Sequence, residues 1–149
     1  MVHRAPLLLL ARLCSYSAMH LEAEICVAAT HPFATPAGVP VLLAVEYLAQ
    51  TVAAHQGVTD RLAGRPVYEG FLLGVRQMLL HADVLALGTC LHARVEREFA
   101  WGDAFGRYDC RLIDATTGAC VAEGDIKVFQ SPEYVQQLRL QRRSEGEGK

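Results

Sequence analysis

The chain has 149 residues, 52% of them hydrophobic and 20% charged, with fourteen Lys and Arg against sixteen Asp and Glu for a formal charge of −2. That is one domain with ample apolar material for a core, too apolar for a disordered protein and without the basic excess of a nucleic-acid binder. No apolar run approaches the roughly 20 residues that span a bilayer, and no basic amphipathic helix points to a membrane surface. The expected setting is therefore soluble and cytoplasmic.

Arg4 followed by Pro6 to Leu10 is only faintly like a signal peptide. Arg12 interrupts the apolar stretch and no small-x-small site follows, so Leu7 to Leu13 reads as a first structural element. Met19, Leu21, Ala23, Ile25 and Val27 then alternate with His20, Glu22 and Glu24. Period-two alternation buries one face of a strand and wets the other. Such one-sided wetting belongs to antiparallel sheets, since strands of an all-parallel sheet are buried on both faces.

A stiff loop follows, Thr30-His31-Pro32-Phe33-Ala34-Thr35-Pro36-Ala37-Gly38-Val39, and feeds Pro40 to Gln56. Pro at the first helical position and Gly57 just past the end predict a helix over 40–56, about 25 Å long. Val41, Leu42, Leu43, Val45, Leu48, Val52 and Ala53 surround its axis, which predicts a buried helix. Val58 to Pro66 reads as a polar connection and Phe71 to Arg76 as a strand with few polar positions, expected to be buried.

Three alternating runs close the domain: Leu91 to Phe99, Arg107 to Leu112 and Cys120 to Val128, with turns expected at Gly88, Gly102-Asp103 and Thr117-Gly118. The fold class is α+β, a long buried central helix wrapped by a curved antiparallel sheet. Residues 1–137 form a single domain, and 138–149 are expected to be a disordered tail. The five cysteines are odd in number and lack C-x-x-C spacing, so they read as free buried thiols.

Two residue types stand out chemically. Glu46 lies mid-helix in the segment expected to be buried, where a carboxylate is either held by a local partner or poised for acid–base work. Gln50, one turn on, shares its face. His31, on the rigid loop, can be a base, a ligand or a plain loop residue. His55 is half a turn out of phase with Glu46 and should face away, while His20 and His92 fall on wet strand faces. No helical His-x-x-x-His, Walker A, G-x-S-x-G or G-x-G-x-x-G occurs, and no metal is expected.

Together, His31-Pro-Phe and Val39-Pro40-Val-Leu-Leu-Ala-Val-Glu46-Tyr-Leu-Ala49-Gln50 resemble the catalytic signature of hot-dog-fold 3-hydroxyacyl-(acyl carrier protein) dehydratases. The opening His3-Arg-Ala-Pro6-Leu-Leu-Leu-Leu and the later Gly70-Phe-Leu-Leu-Gly74 are similar to that family too. Glu46-Tyr-Leu-Ala-Gln and Gly-Phe-Leu-Leu-Gly are closest to a divergent branch found in aryl polyene pigment clusters. The resemblance covers about residues 3 to 129. The chain departs from it at Val41, where the family has Gly, and at His31-Pro32-Phe33-Ala34, where the family has His-Phe-Pro-Gly.

The resemblance implies a hot-dog dimer with the active site between protomers, His31 of one chain as general base and Glu46 of the other as general acid. Val41, Leu42, Gln50 and Phe71 are the expected substrate contacts, with backbone N–H groups around Val41 to Leu43 polarising the thioester carbonyl. The implied substrate is an acyl carrier protein thioester, no cofactor is needed, and the partner chain is a second copy or a paralogous hot-dog subunit. Two other readings stand beside it: a non-catalytic hot-dog subunit that binds acyl carrier protein or supports an active paralogue, and an acyl thioesterase using Glu46 to activate water.

Overall fold

The computed structural model describes residues 9–64, 72–101, 105–129, 140, 143, 144 and 146. Their chain order is β1 (Arg12–Ser17), β2 (His20–Cys26), β3 (Val39–Pro40), a 3-10 turn (Val41–Leu43), α1 (Ala44–Leu62), β4 (Leu72–Leu80), β5 (Val84–Leu85), β6 (Cys90–Trp101), β7 (Phe105–Asp114) and β8 (Cys120–Phe129). Six strands form one antiparallel sheet in the order β1-β2-β6-β7-β8-β4, and β3 pairs with β5 in a two-stranded ribbon. The expected architecture is present: one helix against a large antiparallel sheet.

The alternating runs do what their period dictates, except that Met19 lies in the turn before β2 and is exposed and Cys120 is only half-buried. Leu21, Ala23 and Ile25 of β2, Leu91, Ala93 and Val95 of β6, Tyr108, Cys110 and Leu112 of β7, and Ala122 and Ile126 of β8 all point to the core and are fully buried. Each large aliphatic side chain so placed contributes roughly 1.5–3 kcal/mol. The wet face carries charge pairs across the strands, Arg94 Nε to Glu22 at 2.9 Å and Arg107 to Asp125 at 2.7 Å among them. His20 and His92 lie on this face as expected, His92 beside Glu22.

The helix differs from its prediction at both ends and on one side. It starts with a 3-10 turn rather than at Pro40, which belongs to β3. It does not stop at Gly57 but runs five residues further, through the stretch read as a polar connection. An interior glycine costs only about 1 kcal/mol relative to alanine. Tertiary contacts offset that: Asp60 is buried, and Thr59 meets the Tyr16 hydroxyl at 2.9 Å. The real terminator is Gly64, at φ +70, whose N–H closes on Arg61 O.

Nor is the helix apolar and buried all round. Ala44, Tyr47, Leu48, Thr51, Val52 and His55 face the sheet, whereas Val45, Glu46, Ala49 and Ala53 are only half-buried and Leu42 is 68% exposed. One stripe of the helix is thus left uncovered within a protomer.

Of the stretch expected to be a buried strand, the described side chains Val75 and Arg76 of β4 are exposed in the protomer. β4 is the last strand of the sheet, and Leu79 and Leu80 are exposed on it too. β1 begins at Arg12, later than the Leu7 to Leu13 element expected, and all six of its residues are exposed. Leu9 and Leu10 pack on the core ahead of it. The cysteines are free, but only Cys110 is buried; Cys14 and Cys26 are exposed and Cys90 and Cys120 intermediate. The expected tail falls largely outside the described residues, as do the expected turn at Gly102-Asp103 and His3. Leu140, Arg143, Ser144 and Gly146 have helical backbone. No helix among the described residues is long and apolar enough to cross a membrane.

A closed polar network sits at the sheet side of α1. His55, fully buried, must donate from Nε2 to the Ser17 carbonyl at 3.1 Å, because a carbonyl only accepts. Its Nδ1 therefore accepts from the Tyr108 hydroxyl at 2.7 Å, and that oxygen accepts in turn from the Gln56 amide at 3.0 Å. Burial, reinforced by the positive charge of Arg97, holds the His55 pKa below its ordinary 6.5. The unfolded chain thus takes up this proton first as pH falls, so His55 costs stability below about pH 6.5 and nothing above it. Urea midpoints should fall between about pH 8 and about pH 5, and the fall should be shallower in His55→Gln. An equal slope in both proteins would place the titration elsewhere.

Candidate active site

Glu46 lies on the uncovered stripe of α1. Gln50, four residues on and 1% exposed, donates from Nε2 to Glu46 Oε1 at 3.1 Å. Gln50 Oε1 accepts the Leu9 backbone N–H at 2.9 Å. Both ends of the amide are thereby assigned: the oxygen must face the N–H and the NH2 must face the carboxylate. The segment entering β1 fixes Gln50, and Gln50 fixes the carboxylate. Gln50 is thus buried in the protomer with its amide turned toward Glu46.

His31 sits in a loop built of successive tight turns. Its N–H bonds to Ala28 O at 3.1 Å, the Ala34 N–H to His31 O at 2.9 Å, and Thr35 and Gly38 exchange backbone bonds at 2.8 and 3.0 Å. Gly38 is required where it stands: its φ is +133, and a Cβ there would fall 2.1 Å from Leu85 O across the β3–β5 ribbon. The half-buried imidazole stands 5.9 Å, centroid to centroid, from the ring of Phe33, which is 64% exposed.

His31 Nδ1 accepts the Phe33 backbone N–H at 3.1 Å. That contact assigns the proton of the neutral ring to Nε2. As placed, the ring offers an N–H outward and spends its lone pair on its own loop.

The N-terminal turn of the helix is also partly committed. Val41 is buried, and its N–H bonds to Asp83 O at 3.1 Å. It was expected to help polarise a thioester carbonyl and is not free to do so. β5, which brings Asp83 there, is only two residues long and left no readable pattern. Leu42, exposed in the same turn, is the neighbouring residue a ligand can reach. Phe71 lies outside the described residues. The remaining expected direction holds: His55 faces the sheet, away from Glu46. The His55–Tyr108–Gln56 network went unread because Tyr108 appeared only as one apolar position in an alternating run.

A recess of about 370 Å3 opens on the outer face of the sheet among His20, Glu22, Arg94, Glu96, Asp109 and Arg111. It lies across the sheet from α1, and its walls are charged, so it does not extend the Glu46 site.

The fold of the chain is similar to the dehydratase heterocomplex ApeI:P from Xenorhabdus doucetiae, with a TM-score of 0.81 at 19% identity over 93% of this chain and 92% of that one. It is also similar to the Escherichia coli PaaI protein of the phenylacetic acid degradation operon, with a TM-score of 0.57 at 13% identity over 80% and 78%. A hypothetical thioesterase from Streptococcus pneumoniae, solved with coenzyme A, gives 0.57 at 9% identity over 80% and 84%. At these identities the likeness is one of fold, and that fold is the hot-dog. No curated protein matches the sequence. The family model described as ApeP dehydratase matches residues 1–139, and the chain belongs to this ApeP-like dehydratase family.

Proposed function

We propose that the protein dehydrates 3-hydroxyacyl thioesters carried on acyl carrier protein to trans-2-enoyl thioesters, with Glu46 as the general acid. The observation that carries this reading is the carboxylate held by Gln50 on the uncovered stripe of α1. In this reaction a base takes a proton from C2, the C2 electron pair forms the new double bond, and the C3 hydroxyl leaves as water with the acid's proton. Gln50 donates to Oε1 and holds the carboxyl from which the proton is given. The Leu42 N–H is the group we assign to the thioester carbonyl in place of Val41's.

The uncovered stripe and the exposed apolar residues of β4 support a site completed by a second hot-dog chain, either a copy or a paralogue. In a pair of copies His31 is the base of that composite site, facing Glu46 of the partner subunit. To accept the C2 proton at Nε2 its ring must first release the Phe33 N–H and move its proton to Nδ1.

The Nδ1 contact favours one other reading specifically. With His31 spent on its own loop, the chain would serve as the acid-bearing half of a mixed pair, as a heterocomplex related in fold suggests. Mass spectrometry of 3-hydroxyacyl-carrier thioester separates the cases using Glu46→Ala and His31→Ala. A dehydratase with both roles loses water release in both variants. With a paralogous hot-dog subunit present, loss in Glu46→Ala alone, with His31→Ala active, assigns the base to the partner chain; release of free acid, sensitive to Glu46 alone, makes the protein a thioesterase.

A further inference from the structure

Cys26 ends β2, Cys90 begins β6, and the two are directly opposite in the antiparallel ladder. The next residue along, Val27, donates to Thr89 O at 3.0 Å and accepts from Gly88 N at 2.7 Å, while Cys90 O turns the other way to accept from Ala115 N at 2.9 Å, so 26 and 90 form a non-hydrogen-bonded pair. Such pairs bring Cα atoms to about 4.5 Å, inside the roughly 4.4–6.8 Å range that a disulfide bridges. The two Sγ atoms already lie 3.8 Å apart. Cys26 is exposed and Cys90 half-buried, so a small reagent reaches the pair from solvent. Glu24 also approaches these sulfurs, but Arg12 holds its carboxylate in an ion pair. The chemistry open to this cluster is therefore between the two sulfurs.

We propose that Cys26 and Cys90 form a reversible cross-strand disulfide by exchange with a low-molecular-weight disulfide such as oxidised glutathione. The Cys26 thiolate attacks one sulfur of the small disulfide and expels a small thiol, leaving a mixed disulfide on Cys26. The Cys90 thiolate then attacks Cys26 Sγ and expels the second small thiol. The two protein sulfurs lose two electrons in all, the small disulfide gains them, and the two thiol protons end on the released thiols. The bond sits at the root of the His31 loop. Val27, the next residue, is bound through both its N–H and its C=O to the 88–89 segment. Oxidation covalently ties the start of that loop to β6.

The test is to equilibrate the folded protein with oxidised glutathione and a chelator, alkylate free thiols after denaturation, and map peptides. Two of the five cysteines should become resistant to alkylation, one peptide should join Cys26 to Cys90 within a chain, and dithiothreitol should reverse both changes. Cys26→Ser and Cys90→Ser should each hold one glutathione instead. Persistent alkylation of both cysteines in the wild type, stable glutathione on Cys26, or a cross-link from either to Cys14 or to another chain would overturn the proposal. The wild-type map alone decides it, whether or not the serine variants fold.

Discussion

Glu46→Gln should lower the dehydration rate about 10²–10⁴-fold, the range a positioned general acid supplies, while leaving the fold intact. The substitution keeps shape and volume. Its amide oxygen still accepts the Gln50 donor, so the contact at 3.1 Å and the Gln50–Leu9 contact survive. What disappears is the only thing the mechanism asks of this side chain, a proton that can leave with the C3 hydroxyl. The loss should fall on kcat, with KM nearly unchanged, because the carboxyl acts on the departing group rather than on the acyl chain. The unfolding midpoint should match the wild type, since the site is half open to solvent. A variant that is stable and fully active would remove Glu46 from the chemistry.

Tyr108→Phe should be the most damaging conservative change in the core. It deletes one oxygen but leaves two buried groups without their partner, the His55 Nδ1 acceptor and the Gln56 amide donor. Each buried polar group left unsatisfied costs about 1–3 kcal/mol, so the pair amounts to roughly 2–6 kcal/mol. For a domain of this size that lowers Tm by roughly 5–25 °C. Tyr108 bonds His55 on the side of α1 opposite Glu46, so below the new midpoint the turnover per folded molecule should be unchanged. A Tm within about 2 °C of wild type would mean that the network is not closed as placed.

The sheet was legible because its chemistry is periodic. Every second residue of β2, of β6 from Leu91 to Val95 and of β7 from Tyr108 to Leu112 is apolar, and a ladder has two faces, so the buried set was fixed by counting. The helix was legible in existence but not in extent. Gly57 carries the local signature of a stop, yet Asp60 and Thr59 continue the helix through contacts with chain distant in sequence. β4 was misjudged for a related reason: apolar composition says that a face is covered, not whether its own protomer covers it.

The site was half legible. Glu46 and Gln50, four apart on a helix, must be neighbours, and they are. The tautomer of His31, the capture of the Val41 N–H by Asp83 and the locking of Gln50 by Leu9 depend on backbone groups, and backbone groups leave no mark in a sequence. Cys26 and Cys90 face each other because of the β2–β6 register, which no spacing between two residues 64 apart reveals.

The most direct measurement is the mass of a 3-hydroxyacyl thioester, still attached to acyl carrier protein, after incubation with the wild-type chain. The account predicts a product lighter by one water and still on the carrier, formed by the wild type and not by Glu46→Gln. Free acid with bare carrier, or water loss that continues undiminished in Glu46→Gln, would contradict it.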